Sequence, residues 1–404
     1  MTLLLAILLF LCVLGVFHTY LFYPRWVVNR ATSFGGGDPN VSQVQSEWAP
    51  TPDVRWPPVT VLMAAHNEEA VLEQKLQTLA AQDYPGELRF LVGSDNSSDR
   101  TNDILAAFAA ADERLVYKVF TTRQGKPGII NQLAARAGME GVYLLTDASV
   151  MLAPNTVTEL VKPMLAEPSI GLVDTTMVQT GGTAAGVGGA ETNYIDGEVA
   201  VKRAEGQLWR TMIGPFGGCF ALRARAFRPV PDNFLVDDFF LCMSAYEQGY
   251  GGVSQPAAVV EETVGQELQD EFRRKVRISS GNWQNLVRFR HLWWPPNRND
   301  LSFALFSHKI LRWWTPFLLL VGALAWWGLA WSTGNHIVLL SVAVVSALFI
   351  GGALLDAVLA AFGINLPALR ALRYFIAMNA ALLVGFYRFL TGIRSNVWQP
   401  SSRN

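Results

Sequence analysis

Long apolar segments at both ends of the chain constrain its fold more than any other feature. The segment Met1–Tyr23 contains no charged residue, and three further apolar segments, Trp313–Trp331, Ile337–Phe362 and Tyr374–Leu390, lie near the carboxyl end. About 20 apolar residues are enough for a helix to cross the hydrocarbon core of a bilayer. The sequence therefore predicts a multi-pass membrane protein, with one transmembrane helix over residues 1–24 and about three in a region over residues 313–391.

A secretory signal peptide is the alternative interpretation of the first segment. Such peptides begin with basic residues and end at a cleavage site made of small residues. The chain has neither feature around Met1–Tyr23, and Pro24, Arg25 and Trp26 follow directly. We therefore expect a membrane anchor.

Basic residues at the membrane edges predict the side on which the middle of the chain lies. Arg25 and Arg30 follow the first apolar segment, and Lys309 and Arg312 precede the second. Because cytoplasmic loops carry an excess of Lys and Arg, we expect a cytoplasmic domain attached to the inner cell membrane. Three full carboxyl-terminal crossings would leave the basic tail outside. Either one segment lies in the membrane interface, or the charge rule fails here.

Charge and cysteine content exclude other classes of protein. Of the 404 residues, 51% are apolar and 16% are charged, against about 25% charged residues in average soluble domains. The formal net charge of -1 argues against nucleic acid as the partner, because phosphate binding needs a surplus of Lys and Arg. The three cysteines, Cys12, Cys219 and Cys242, do not have the spacing of metal ligands, and an odd number cannot form a closed set of disulfides. We therefore expect free thiols.

The middle of the chain alternates predicted strands and helices. The apolar runs Val59–Ala65, Leu88–Ser94, Val116–Phe120 and Val142–Thr146 are separated by stretches with helical patterns. This alternation predicts βαβ units and a parallel sheet, in which ligands bind at the carboxyl ends of the strands. The predicted segments are a linker over residues 25–57, an α/β domain over 58–281, an amphipathic segment that contacts membrane lipids over 282–312 and a tail over 392–404.

Polar clusters follow three of these strands. They are His66–Glu69, Asp95–Asp99 and Asp147–Ser149. Any one of them is compatible with the cap of the following helix, because Asn, Asp and Ser satisfy its free N–H groups. Three clusters at successive strand ends favour a binding site, in which carboxylates contact a base or a metal-bridged phosphate.

Seven motifs occur in one order between Val59 and Trp283: MAAHNEE, SDNSSDRT, GKPGIINQLAARA, LLTDAS, GGCFALRARAF, VDDFFLCMSAYEQGY and RRKVRISSGNW. Together they resemble the membrane-bound family 2 glycosyltransferases, in particular the cellulose, hyaluronan and poly-N-acetylglucosamine synthases. The resemblance implies a GT-A-type, Rossmann-like cytosolic domain between transmembrane helices. It also implies that a sugar is transferred, with inversion at the anomeric carbon, from a nucleotide-sugar donor, which we expect to be a UDP-sugar.

The resemblance assigns residues to donor and metal. The donor-binding positions are Ala65, Asn67, Glu68, Asp95, Lys126, Arg274 and Arg277. The last two belong to a stretch similar to the family's QxxRW segment, in which Arg274 replaces Gln. Asp147 matches the first aspartate of the metal-binding DxD motif, and Ser149 replaces the second. Because Mg²⁺ needs only one or two carboxylates, the resemblance still predicts Mg²⁺ or Mn²⁺ as cofactor.

The pair Asp237-Asp238 resembles the family's TED motif, in which the final aspartate is the catalytic base. The resemblance therefore assigns Asp238 as the base for the acceptor hydroxyl, with Asp237 beside it in the catalytic pair. The alternative is that one of them caps the helix that follows.

The loop Gly214–Arg223 matches the family segment at the acceptor, which assigns Gly217, Gly218 and Cys219 to acceptor contact. Trp283 is either a platform for a sugar ring or an aromatic anchor at the membrane interface. The acceptor is expected to be a growing polysaccharide whose synthesis is coupled to export. The alternatives are a lipid-linked acceptor that receives one sugar and a receptor without turnover. A partner subunit that completes a channel is compatible with the small number of spans.

Overall fold

An eight-stranded sheet forms the centre of the middle segment. The computed structural model describes residues 1–35, 54–180, 187–263, 268–364 and 366–393. The strands are β1 (Val59–Ala65), β2 (Leu88–Asp95), β3 (Leu115–Phe120), β4 (Val142–Thr146), β5 (Val150–Leu152), β6 (Ile170–Thr180), β7 (Cys219–Arg223) and β8 (Gly251–Thr263). Their order is β3-β2-β1-β4-β7-β6-β8-β5. The first four strands of this order are parallel, whereas β7 runs antiparallel to both β4 and β6.

Helices connect the strands and form both ends of the chain. They are α1 (Thr2–Phe17), α2 (Tyr23–Gly35), α3 (Leu72–Ala80), α4 (Thr101–Ala111), α5 (Gly125–Ala137), α6 (Thr156–Ala166), α7 (Val187–Trp209), α8 (Asp237–Glu247), α9 (Leu268–Arg288), α10 (Arg290–Trp293), α11 (Asp300–Leu305), α12 (Leu311–Thr333), α13 (His336–Ala361) and α14 (Pro367–Thr391). Short π-helical turns join α1 to α2 and α11 to α12. The predicted α/β fold, placed between apolar helices, is confirmed.

The sheet is buried on both faces, which explains why its strands are continuous apolar runs. Along β1, Val61 and Met63 pack into one core together with α3, whereas Leu62 packs into the other core together with α5. Successive side chains of a strand point to opposite faces, so a strand between two helical layers needs apolar residues at every position. This pattern made the four parallel strands predictable.

In the part of the chain that the structure describes, four helical segments are long and apolar enough to cross a membrane. They are Thr2–Phe34, Asp300–Thr333, His336–Ala361 and Pro367–Thr391. The last of them is longer than the predicted apolar segment Tyr374–Leu390. It begins at Pro367, and the additional first two turns contain basic residues.

The predicted linker over residues 25–57 is wrong in its first part, because a helix continues through it. α2 extends to Gly35, with Val27 and Ala31 fully buried against the α/β domain. Just before them, the hydroxyl of Tyr23 donates a hydrogen bond to Glu205 of α7 at 2.8 Å. Apolar and aromatic contacts therefore attach α2 to the α/β domain. The remaining linker residues 36–53 and the tail residues 394–404 lie outside the described residues.

A second difference concerns the boundary placed between residues 281 and 282. α9 is one helix that crosses this position, so the basic run and the aromatic segment share one rigid element. Its hydroxyl side packs on α14, where Ser279 and Ser280 donate hydrogen bonds to the carbonyls of Leu382 and Gly385 at 2.9 and 3.0 Å. Gly385 permits this close approach, since a Cβ there would lie 2.8 Å from the carbonyl oxygen of Val276.

We predict that Gly385→Val separates α9 from α14. Inserting side-chain atoms into such a contact typically costs about 1–3 kcal/mol, so the melting temperature of the detergent-solubilised protein should fall. Gly351→Val is the matched control, because a Cβ at Gly351 of α13 meets nothing within 4 Å. Equal melting temperatures for the two variants would contradict the proposed close contact.

Candidate active site

The turns after β1 and β2 interlock at the carboxyl end of the sheet. The side-chain oxygen of Asn67 accepts a hydrogen bond from the N–H of Ser98 at 2.9 Å, and the N–H of Glu68 donates to Thr101 at 2.9 Å. Asn67 has a φ of 54°, a left-handed conformation that Asn tolerates better than most residues. Ala65 is buried at the end of β1. The predicted donor residues Ala65, Asn67 and Glu68 therefore come together here.

Asp95, at the end of β2, fixes the beginning of α5. Its carboxylate accepts hydrogen bonds from the N–H groups of Gln124 and Gly125 at 2.6 and 3.0 Å and from the guanidinium of Arg123 at 3.1 Å. Arg123 also contacts the ring of His66 at 2.6 Å. Both oxygens of Asp95 thus have protein partners. Asp95 positions α5 and Arg123, a residue that the sequence analysis did not assign.

Lys126 lies in the first turn of α5 and reaches across the cleft to two carboxylates. Its ammonium nitrogen is 2.7 Å from Asp147 Oδ1 and 3.6 Å from Asp237 Oδ2. Burial alone would lower the pKa of Lys126, but the charges of Asp147, Asp237 and Asp238 outweigh this effect and raise the pKa above its usual value. Lys126 therefore remains a cation at the centre of an acidic cluster.

Asp238 lies in the first turn of α8, beside Gly217. Burial, and next the negative charge of Asp237, raise the pKa of Asp238 to about 6, although Lys126 opposes the shift. A Cβ on Gly217 would lie 2.9 Å from Asp238 Cγ, so only glycine leaves room for this carboxylate. The N-cap of α8 is Val236, without a side-chain capping bond. Asp238 Oδ1 does accept a hydrogen bond from the N–H of Phe239 at 2.7 Å, so this aspartate satisfies one free N–H group of the first turn, as the capping alternative expects.

α9 brings Arg277 to the same cluster. Burial lowers the pKa of Arg277, and the carboxylates of Asp237, Asp238 and Asp147 partly offset this effect. A guanidinium stays protonated in proteins, so Arg277 adds a second, half-buried cation. Arg274 is placed differently: it pairs with Glu271 at 3.1 Å, and its side chain is 52% exposed.

α9 also holds the segment that leads into Asp237. Arg277 and Asn285 donate hydrogen bonds to the carbonyls of Leu235 and Val236, each at 3.1 Å. Gln284 accepts from the N–H of Leu235 at 3.1 Å. Gln284 and Asn285 were not assigned from the sequence, because their partners lie about fifty residues away. The signal that the sequence did offer was their pair of adjacent amide side chains on a helix rich in polar residues.

The predicted acceptor residues separate into two groups. Gly217 and Gly218 lie at the cleft, and the loop before them is fixed by Asp174, which accepts a hydrogen bond from the N–H of Phe216 at 2.6 Å. Cys219, in contrast, is fully buried in the core, and burial raises the pKa of its thiol to about 11. The prediction that the Cys219 side chain contacts the acceptor is corrected, because alternation along β7 turns it away from the cleft.

Trp283 lies in an aromatic cluster between helices. Its ring is 4.6 Å from that of Phe386 and 6.0 Å from that of Phe317, measured between centroids. Phe386 belongs to α14 and Phe317 to α12, so the ring packs where α9 meets the apolar helices. This arrangement agrees with the interfacial anchor and differs from the sugar platform.

The donor set at the site suits a divalent cation that arrives with a diphosphate. The described residues contain no group of three or more His, Cys, Asp or Glu side chains that forms a protein-only metal site. Asp147 is 40% exposed, so its carboxylate is accessible. Mg²⁺ commonly uses one or two carboxylates together with substrate phosphates and water. Asp147 fits this pattern, with Ser149 and its neighbour Glu262, 3.5 Å apart, on the same edge.

Comparisons with known proteins agree with this geometry. Residues 60–229 match the family model described as Glycosyl transferase family 2. Over these residues the chain therefore carries a domain that is similar to the family 2 glycosyltransferases. The chain is 27% identical to the probable glycosyltransferase YdaM of Bacillus subtilis (strain 168). This similarity extends over 264 residues, which cover 62% of this chain and 61% of that protein. It is also 34% identical over 122 residues to the beta-monoglucosyldiacylglycerol synthase of Synechocystis sp., covering 29% of this chain and 25% of that one.

The glycosyltransferase domain and its apolar helices also share their fold with a solved structure. The mannosyltransferase PcManGT from Pyrobaculum calidifontis, in complex with GDP-Man and Mn²⁺, aligns with a TM-score of 0.68 and 21% identity, covering 95% of this chain and 99% of that one. The chain spans from a quarter to about three fifths of the first curated relatives that it matches. The similarity to PcManGT establishes the fold of nearly the whole chain.

Proposed function

We propose that this protein transfers a sugar from a nucleotide-diphosphate sugar to an acceptor at the cytoplasmic face of the membrane, with inversion. The observation that carries the proposal is the meeting of Lys126 and Arg277 with Asp147, Asp237 and Asp238 at the carboxyl end of the sheet. An inverting transferase needs a base for the acceptor hydroxyl and positive charge for the leaving diphosphate. Both lie in this one cluster.

In the proposed reaction Asp238 takes the proton of the acceptor hydroxyl. The acceptor oxygen forms a bond to the anomeric carbon while the bond from that carbon to the diphosphate oxygen breaks, and the electron pair leaves with the diphosphate. Lys126 and Arg277 neutralise the charge that develops there. Asp147, together with donor oxygens, would hold Mg²⁺ or Mn²⁺, which supplies further charge neutralisation at the diphosphate. The Mn²⁺ in the PcManGT complex is compatible with this assignment.

We propose a lipid-linked acceptor, because the base lies next to the first carboxyl-terminal membrane helix. Phe239, which follows Asp238, contacts Trp313 of α12 with ring centroids 5.4 Å apart. α12 also packs closely on α1, where a Cβ at Gly322 would lie 3.2 Å from Cys12. The described contact between α1 and α12 leaves no gap for a chain of sugar rings, which a growing polysaccharide would need. A relative whose name denotes a glycolipid synthase supports this choice.

The proposal predicts the product formed from radiolabelled nucleotide sugars. Purified protein in native-lipid vesicles, given a panel of labelled donors, should move label from one donor into the organic-solvent extract as a lipid that carries one sugar. Vesicles with Asp238→Asn protein are the control. Label in a long, solvent-insoluble polymer would contradict the lipid acceptor and support the synthase. Label transfer from no donor would overturn the transferase itself.

A second prediction concerns the base. General-base catalysis contributes about 10²- to 10⁴-fold, so Asp238→Asn should lower kcat by that factor and leave donor binding nearly unchanged. Asp232→Asn, an exposed aspartate six residues away, is the control. The active form of a base is deprotonated, so in the wild type kcat/KM should reach a plateau well above pH 6 and fall as the pH drops through about 6, the pKa of Asp238. Wild-type turnover in Asp238→Asn would overturn the assignment.

We further propose that only three of the four apolar helices cross the membrane. α1 and α12 run antiparallel, with Thr2 beside Ser332 at the end far from the domain. The last turns of α14, in contrast, lie on α9 of the catalytic domain through Gly385. Near its start, Phe375 contacts Tyr20, whose ring lies under the guanidinium of Arg312. Both parts of α14 thus lie close to the catalytic domain, as we expect of a helix that lies in the cytoplasmic interface of the membrane.

The topology can be measured with reporter fusions. Three crossings place the carboxyl terminus, with Arg394 and Arg403, in the cytoplasm, in agreement with the excess of basic residues there. A carboxyl-terminal green fluorescent protein should therefore fluoresce, and alkaline phosphatase at the same position should be inactive. The same reporters placed after Gly334, in the loop between α12 and α13, should behave in the opposite way. An active carboxyl-terminal phosphatase would show that α14 crosses.

A further inference from the structure

Lys75 is a charged residue in the core beneath the site. It lies on α3, whose other buried side chains are Leu72, Leu76 and Leu79, and none of its surface is exposed. Lysine is almost never fully buried unless its ammonium is paired. Burial lowers the pKa of Lys75 to about 8, against smaller opposing effects of Cys219 and Asp147. A leucine or methionine would pack here without this penalty, so the ammonium group needs an explanation.

The ammonium of Lys75 contacts both ends of the turn that carries Asp147. Its nitrogen donates hydrogen bonds to the hydroxyl of Thr146 at 2.7 Å and to the carbonyl of Val150 at 2.5 Å. Thr146 ends β4 and Val150 begins β5, so Asp147 and Ser149 lie between the two contacts. Both partners are neutral oxygens. The lysine therefore links the two ends of this turn by hydrogen bonds from the core side.

The same contacts continue to the loop beside Asp238. A hydroxyl that accepts a bond from an ammonium keeps its own proton, and the hydroxyl of Thr146 lies 3.1 Å from the carbonyl oxygen of Gly218. That oxygen also accepts the N–H of Asp147 at 2.9 Å. Gly218 follows Gly217, which touches Asp238. One chain of hydrogen bonds thus joins α3, the turn of Asp147 and the glycine loop.

We propose that Lys75 is a positioning residue that fixes Asp147 relative to the Gly217-Gly218 loop and so to Asp238. Its ammonium lies below the turn and acts through Thr146 and Val150. The consequence for catalysis rests on the proposed function. The consequence for the turn itself does not, so the two can be tested separately.

Hydrogen exchange tests the turn directly. Lys75→Met replaces the lysine by an apolar side chain of similar length, and the amides of Asp147–Val150 should then exchange about tenfold faster or more, through local opening. Gln82→Met is the matched control. Gln82 follows the same helix, and its side chain donates hydrogen bonds to the carbonyls of Thr78 and Ala153 and accepts one from the N–H of Val157, beyond the turn. Unchanged exchange of Asp147–Val150 in Lys75→Met would overturn the proposal, whether or not transferase activity is found.

Kinetics test the consequence for the reaction. Loss of a residue that supports a metal ligand typically reduces metal affinity or activity about 10- to 100-fold, so Lys75→Met should raise the half-activating metal concentration and the donor KM about tenfold. Gln82→Met should change both less than twofold, at a similar loss of melting temperature. Thr146→Val should reproduce Lys75→Met, and the double variant should be no worse than either. Equal kinetic losses in Lys75→Met and Gln82→Met would show a role in stability alone.

Discussion

The ammonium of Lys126 lies between the carboxylates of Asp147 and Asp237, and the rest of the site is arranged around this contact. Lys126 is the cation that offsets the mutual repulsion of Asp147, Asp237 and Asp238, whose negative charges raise its pKa. The acidic cluster therefore needs Lys126 in place. Asp95 ensures this by binding the N–H groups of Gln124 and Gly125 at the start of α5. Asp95 at the end of β2 thus positions the lysine that contacts Asp147 at the end of β4.

α9 connects this cluster with the apolar helices α12 and α14. On one side it holds the segment before Asp237 through Arg277, Gln284 and Asn285. On another side its Ser279 and Ser280 bind α14, and its Trp283 packs against α12 and α14. A single rigid helix makes all these contacts. The proposed base Asp238 is therefore held at a fixed distance from these apolar helices, as the proposed transfer to a lipid-linked acceptor requires.

The sequence was most informative where one residue's environment is set by its own element. The four parallel strands were predictable because a strand buried on both faces must be apolar throughout, and the polar clusters at their ends because helix starts and ligands need the same residue types. The sequence was silent on contacts between distant segments. Arg123 on His66, Gln284 on Leu235 and α14 on α9 depend on how the elements pack, and the burial of Cys219 depends on the register of β7. Lys75 looks like a polar residue on an ordinary amphipathic helix until its partners, more than seventy residues away, are known.

Asp238 illustrates how the environment changes the properties of a carboxyl group. It lies in the first turn of α8, where the helix dipole favours the charged form. Burial and the charge of Asp237 act in the other direction on Asp238 and raise its pKa to about 6. A carboxylate with an ordinary pKa would be ionised at pH 7 but would be a weaker base. At a pKa of about 6 the carboxyl group of Asp238 is still largely ionised at pH 7, while its affinity for a proton is higher than that of an ordinary carboxylate. The surroundings of Asp238 therefore increase the strength of the proposed base with little loss of its ionised form.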